Sequence, residues 1–306
     1  MHCAIVVEVP SARDVILPIV PIAIGIGINP CNPFRVIRFQ FVKFNIKMRF
    51  KITLNRTGRQ KMLPMDYQYY LSAWIYKVIG KADPEFSAFL HSEGYMLGNK
   101  RFKLFTYSPL NFGRPTLWKE KSLFEIHTDQ LYLCVSFHLV EAAEKFIIGL
   151  FNNQEVYVGD QFNGLDLVVS QVERLSEPTL KNTMSYRAVS PVVISLKSEN
   201  NKYAQYLSPG ETNYIDLLRQ NLCNKYDSIP NVDPLPKDMI IEFQLKSEPK
   251  SKLVTIKPYT PEQSKVRGFV FDFMLTCPLE LHQLIMSAGI GEKNSMGFGW
   301  VEKLNG

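Results

Sequence analysis

The stretch Gly289-Ile-Gly291-Glu-Lys-Asn-Ser-Met-Gly297-Phe-Gly299 places four glycines in eleven residues around Lys293, Asn294 and Ser295. Backbone without a Cβ takes positive φ angles and approaches a ligand closely, and its amides bind phosphate oxygens. The spacing is not that of a P-loop, which needs G-x-x-x-x-G-K-[ST]. It is not a dinucleotide fingerprint either, because Asn294 stands at the third glycine position and a predicted helix precedes the loop. A glycine-rich turn taken alone is more often a plain connector. Histidines offer proton-transfer chemistry, but His2, His127, His138 and His282 are scattered without ligand spacing. The five cysteines, Cys3, Cys31, Cys134, Cys223 and Cys277, form no C-x-x-C pair, so neither a metal site nor a disulfide framework is expected, and a reducing cytoplasmic setting fits.

Charge points to an anionic partner. The formal net charge is +6, and nine basic residues and no acidic one lie between Arg35 and Met65. Six more, from Lys246 to Arg267, face only Glu248 and Glu262. Basic residues alternating with apolar ones along extended segments would lay a charged stripe on a sheet face, the footprint of a phosphate backbone. The competing reading is a solvated strand edge protected by lysines. An apolar fraction of 46% and a charged fraction of 21% are those of a chain that folds.

The elements that must position these groups follow from periodicity. Residues 1–47 carry five prolines and no sustained period. The run Val15–Ile28 is broken by Pro18 and Pro21 and is too short to span a bilayer as a helix. Met48 opens a clean alternating strand, so residues 1–47 are expected to be a disordered extension or a mis-assigned start, with translation beginning at Met48; an intact native N-terminus near Met1, by mass spectrometry, would reject this. Tyr67 to Ile79 follows helical spacing, and a second helix starts at Asp83-Pro84 and runs toward His91. Strands are expected at Phe102–Tyr107, Leu123–Ile126, Leu131–His138, Glu155–Val158 and Leu165–Leu175, with a helix over Val140–Phe151. The second half repeats the plan: a strand at Tyr186–Ser195, a helix at Glu211–Tyr226, strands at Met239–Lys246, Leu253–Lys257 and Gly268–Thr276, a helix at Pro278–Ala288 and a strand at Phe298–Lys303. This predicts an α+β fold of tandem ferredoxin-like (βαββαβ) domains, 48–180 and 181–306.

The pattern G-I-G-x5-G-F-G near the C-terminus resembles the signature loop of the CRISPR-associated endoribonucleases of the repeat-associated mysterious protein superfamily. Tyr67-Gln-Tyr-Tyr-Leu-Ser-Ala-Trp-Ile-Tyr76, Phe89-Leu-His91, Lys103-Leu-Phe-Thr-Tyr-Ser108, the segment from Ser185 to Val193 and Leu253-Val-Thr-Ile-Lys257 are similar to the same family. The resemblance runs from Met48 to the end and implies a cytoplasmic endoribonuclease that cuts CRISPR precursor transcripts inside their repeats. It implies a cutting site of Tyr76, His91 and Lys103, and an RNA-binding loop of Gly289, Gly291, Lys293, Asn294, Ser295, Gly297 and Gly299. It also implies RNA as partner, no cofactor and no metal, with a CRISPR effector complex and a homodimer left open.

These residue types suit the chemistry. Cutting RNA without a metal needs a group to take the 2′-hydroxyl proton, an acid for the leaving 5′-oxygen and a cation for the charge on phosphorus. Imidazole serves in proton transfer at neutral pH, an ammonium holds charge, and a phenol with an ordinary pKa of about 10 is a weak base, so Tyr76 acts as base or orienter. Each has a plainer alternative. Tyr76 lies opposite the apolar stripe of its helix, where core packing is not expected to hold it; His91 is equally a helix-end cap; and strand alternation leaves the exposure of Lys103 undecided. Two rival functions remain: a non-catalytic RNA-binding relative, and a ferredoxin-like small-molecule regulatory module.

Overall fold

The computed structural model describes residues 48–196 and 204–304. The expectations about residues 1–47 lie outside them. The first alternating segment forms the strand Met48–Arg56, which buries Phe50, Ile52 and Leu54. It occupies the centre of a five-stranded antiparallel sheet, paired with Gln130–Phe137 on one side and Gly164–Arg174 on the other. Phe105–Tyr107 and Glu155–Gly159 take the outer positions. Three helices belong to this half: α1 (Tyr67–Ala82), α2 (Pro84–Ser92) and α3 (Val140–Asn152). The Asp83 side chain caps α2 by accepting from the Phe86 amide, as a Pro-initiated helix favours. Trp74 of α1 meets Phe146 of α3 edge to face, with ring centroids 6.0 Å apart.

The second half repeats the β-α-β-β-α-β order. Thr183–Ala188 lies between Asp272–Thr276 and Val301–Lys303, with Glu242–Leu245 outermost, all antiparallel. Helices α4 (Tyr214–Asp227) and α5 (Leu279–Ala288) pack over a separate core that includes Tyr186, Phe273, Leu218 and Leu284. An additional hairpin pairs Lys250–Ile256 with Ser264–Val270. Among the described residues no helix is long and apolar enough to cross a membrane.

Several expected strands come out shorter or broken, Met239–Lys246 contracting to Glu242–Leu245 and Phe298–Lys303 to Val301–Lys303. Phe102–Tyr107 is interrupted, because Leu104 takes a φ of 51° and turns the chain there. Leu104 then fills the second core while Phe105 fills the first, which a straight strand serving one sheet would not achieve. The strand begun at Tyr186 stops at Ala188, ahead of Pro191, which has no N–H for a ladder. Gly268–Thr276 splits at Phe271 into two strands that pair with different partners.

The expected basic stripe of the first strand does not lie on an open face. Arg49 is half-buried, its guanidinium 4.0 Å from the Trp300 ring centroid, with one Nη donating to the Val301 carbonyl at 3.4 Å. Burial lowers its pKa to about 10. Lys51 pairs with Glu173 at 3.3 Å, and Arg56 pairs with Asp129. The hairpin, by contrast, presents Lys250, Lys252, Lys265 and Arg267 to solvent.

Candidate active site

Helix α1 presents a polar stripe at four-residue intervals, Gln68, Ser72 and Tyr76, on the face toward the glycine-rich loop. Gln68 Nε2 donates to the Gly297 carbonyl at 3.2 Å, Ser72 Oγ donates to the Ser295 carbonyl at 2.7 Å, and the Tyr76 hydroxyl hydrogen-bonds the Ser295 side chain. One residue of the loop therefore lies against the phenol singled out in the sequence. Tyr76 is half-buried against the first core, its ring 5.5 Å from that of Phe105, so packing does hold it, contrary to expectation. Burial pushes its pKa up to about 12, with the Ser295 hydrogen bond pulling the other way.

His91 stands in the last turn of α2, exposed, with its ring edge-on to Tyr76 at a centroid distance of 5.0 Å. Lys103 reaches the same place: its Nζ donates to the His91 carbonyl at 2.8 Å. The turn after α2 makes room for it. Gly94 has a φ of 66°, and a Cβ there would lie 2.9 Å from Lys103 Cδ and 2.5 Å from the Phe102 carbonyl. Burial first, and the neighbouring Arg101 second, lower the Lys103 pKa to about 8. Phenol, imidazole and ammonium, separated by 15 and then 12 residues in the chain, thus converge.

The loop is built around a lysine that the sequence reading did not single out. Lys225 of α4 is fully enclosed, and its Nζ donates to the carbonyls of Gly289 (2.8 Å) and Gly291 (2.9 Å) and to Asn294 Oδ1 (2.6 Å). Three acceptors match the three N–H bonds of an ammonium, although burial lowers the pKa to about 7. Asn294 Nδ2 completes the cage by donating to Ile290 and Phe298, each at 3.0 Å. The amides of Gly289, Gly297 and Gly299 pair with the carbonyls of Ile285, Asn294 and Pro191, so these glycines serve the loop's own folding before any ligand. The positive φ of Gly299 and a Cβ position 1.9 Å from the Ile290 carbonyl leave no alternative residue there.

Beside Lys103 opens a cleft of about 640 Å³ lined by Lys100, Arg101, Lys103 and Lys293, the loop residues Gly291 to Ser295, and the α4 residues Gln220 and Asn221. Its carboxylate, Glu292, is held by the Ser195 amide at 2.9 Å and the Ser195 hydroxyl at 2.8 Å. The expected triad and the expected loop meet through Ser295. Gly94, Lys225 and Tyr107, whose hydroxyl donates to the Gln68 carbonyl at 2.6 Å, are the supporting residues missed by the sequence reading. The Gln68–Ser72–Tyr76 spacing was the signal available for the docking face, whereas Lys225 looks like any solvated helix lysine. Among the described residues no cluster of three or more His, Cys, Asp or Glu side chains has the arrangement of a metal site.

Comparison with known proteins agrees with the fold. A family model described as "CRISPR-associated protein Cas6, N-terminal" matches residues 62–173, and one described as "CRISPR associated protein Cas6, C-terminal" matches 175–303. A protein of Methanocaldococcus jannaschii named "CRISPR-associated endoribonuclease Cas6 1" is 28% identical over 257 residues, covering 83% of this chain and 92% of the relative. "CRISPR-associated endoribonuclease Cas6" of Pyrococcus furiosus is 28% identical over 268 residues, covering 83% and 89%. The solved structure titled "Characterization of a Cas6-related gene from Pyrococcus furiosus" superposes with a TM-score of 0.71 at 24% identity, covering 85% of this chain and 99% of the other. The two family models between them run from residue 62 to residue 303, and the chain belongs to the CRISPR-associated Cas6 family.

Proposed function

We propose that the protein is a cytoplasmic, metal-independent endoribonuclease that cuts CRISPR precursor transcripts within their repeats, using two tandem ferredoxin-like domains, 48–180 and 181–306. The observation that carries this reading is the convergence of His91 and Tyr76 at 5.0 Å with the Lys103 ammonium 2.8 Å from the His91 carbonyl, on the rim of a basic cleft. The names of the two archaeal relatives support an endoribonuclease activity.

The step is a transesterification. The ribose 2′-oxygen attacks phosphorus, the bond from phosphorus to the 5′-oxygen breaks, and the products are a 2′,3′-cyclic phosphate and a 5′-hydroxyl. His91, exposed beside the cleft, gives its proton to the leaving 5′-oxygen. The Lys103 ammonium stabilises the charge that builds on the phosphate oxygens. Tyr76, with its pKa raised to about 12, keeps its proton and orients the phosphate as a hydrogen-bond donor, so the 2′-hydroxyl proton passes to solvent. Lys293, Asn294 and Ser295, with Gly289, Gly291, Gly297 and Gly299 shaping the loop, contact the strand, and the exposed hairpin cations Lys250, Lys252, Lys265 and Arg267 extend the basic surface for its backbone. Incubating the purified protein with repeat RNA in excess chelator tests the reading. Discrete cleavage products are expected; tight binding without products would identify an RNA-holding relative instead.

A further inference from the structure

We propose that the cleft beside Lys103 receives one unpaired nucleotide next to the scissile phosphate, and that Asn221 on α4 reads its base. The inference rests on the RNA-cutting reading and adds a specificity-determining residue to it. Asn221 lines the cleft, yet its Oδ1 is buried and has no hydrogen-bond partner. A buried acceptor left without a donor is unfavourable, and such groups in folded chains are normally paired. A turn of the Asn221 amide about its last side-chain bond brings that acceptor to the cleft, where a base N–H supplies the missing donor.

The rest of the cleft has the chemistry of a nucleotide site. Phe102 and Leu217 offer apolar surface for the face of a base, and Lys100, Lys103 and Lys293 offer positive charge for its phosphates. Glu292, which would repel an anion, has its carboxylate engaged by Ser195. At about 640 Å³ the space lies within the roughly 300–1,000 Å³ of sites that enclose small molecules. A base inside an RNA duplex has its pairing edge occupied and faces a groove closed to side chains, so only a splayed, single-stranded nucleotide fits. Because Lys103 is shared by the cleft and the cutting site, that nucleotide must adjoin the bond that breaks.

The test is a coupling measurement on the full chain. Repeat RNA carrying a 2′-deoxy nucleotide at the cut is bound but not cleaved, and single abasic nucleotides are scanned through the positions flanking the cut. One abasic position is expected to weaken affinity about tenfold for the wild type. Asn221→Ala is expected to bind intact RNA about tenfold more weakly and to show no further loss at that same position. Asn221→Leu, which keeps the bulk and removes the acceptor, provides a second variant should the alanine protein unfold. The proposal is overturned if every abasic position costs both variants as much as it costs the wild type. A wild type that binds these RNAs but never cuts the all-ribose repeat would overturn the enzyme reading while leaving the coupling readable.

Discussion

At the scale of single residues, the proposed reaction rests on three side chains that reach one another from different elements. Replacing His91 with alanine removes the proton donor and no core contact, since the side chain is exposed. Single-turnover cleavage is expected to slow about 100-fold or more, with RNA affinity within about threefold of the wild type by filter binding. The Lys103 charge sets the upper limit of pH. A lysine is charged below its pKa, here lowered to about 8, so cleavage should fall as pH rises through about 8. Lys103→Arg, charged at every accessible pH, should move that fall to higher pH, and a pH–rate profile of both proteins measures it. The resemblance of short segments singled out these three residues, and the structure brings them together. Composition and spacing alone did not, because His91 reads equally as a helix-end cap and Lys103 follows no usable alternation once Leu104 turns the chain. The packing of Tyr76 was misread because its outer contacts, Phe105, His91 and Ser295, come from elsewhere in the sequence.

At the scale of elements, the glycine-rich loop is a folded unit held by α1 on one side and α4 on the other. Gly299→Ala would push a Cβ against the Ile290 carbonyl at 1.9 Å in a left-handed backbone, and a loss of about 2–4 kcal/mol is expected in urea unfolding. Lys225→Met keeps the length of the side chain and removes all three donors, leaving the carbonyls of Gly289 and Gly291 and Asn294 Oδ1 without them. We expect it to cost about 3 kcal/mol or more by the same measurement and to weaken cleavage through loss of loop order. The four glycines announced a turn in the sequence, and its place after a helix ending at Gly289 was readable from the apolar period and the glycine stop. What the loop folds around was not, since a lone lysine 64 residues upstream of Gly289 carries no local signal.

At the scale of the whole molecule, the two repeats of β-α-β-β-α-β are joined by contacts that make one surface of the site. Arg49, on the central strand of the first sheet, stacks over Trp300 and meets Met286 and Val301 of the second half. Arg49→Ala removes that cation–π contact and its packing, and a loss of about 2–3 kcal/mol in urea unfolding is expected. The sequence placed Arg49 on a basic stripe for RNA because alternation reports which residues share a face, and not whether a second sheet covers that face. The repeat itself was legible from element order, and the hairpin Lys250–Ile256 with Ser264–Val270 kept its cations exposed. The most direct test of the account is the chemical identity of the ends made when the wild type cuts repeat RNA. A 2′,3′-cyclic phosphate on one fragment and a 5′-hydroxyl on the other are predicted, whereas a 3′-hydroxyl facing a 5′-phosphate would contradict attack by the ribose oxygen.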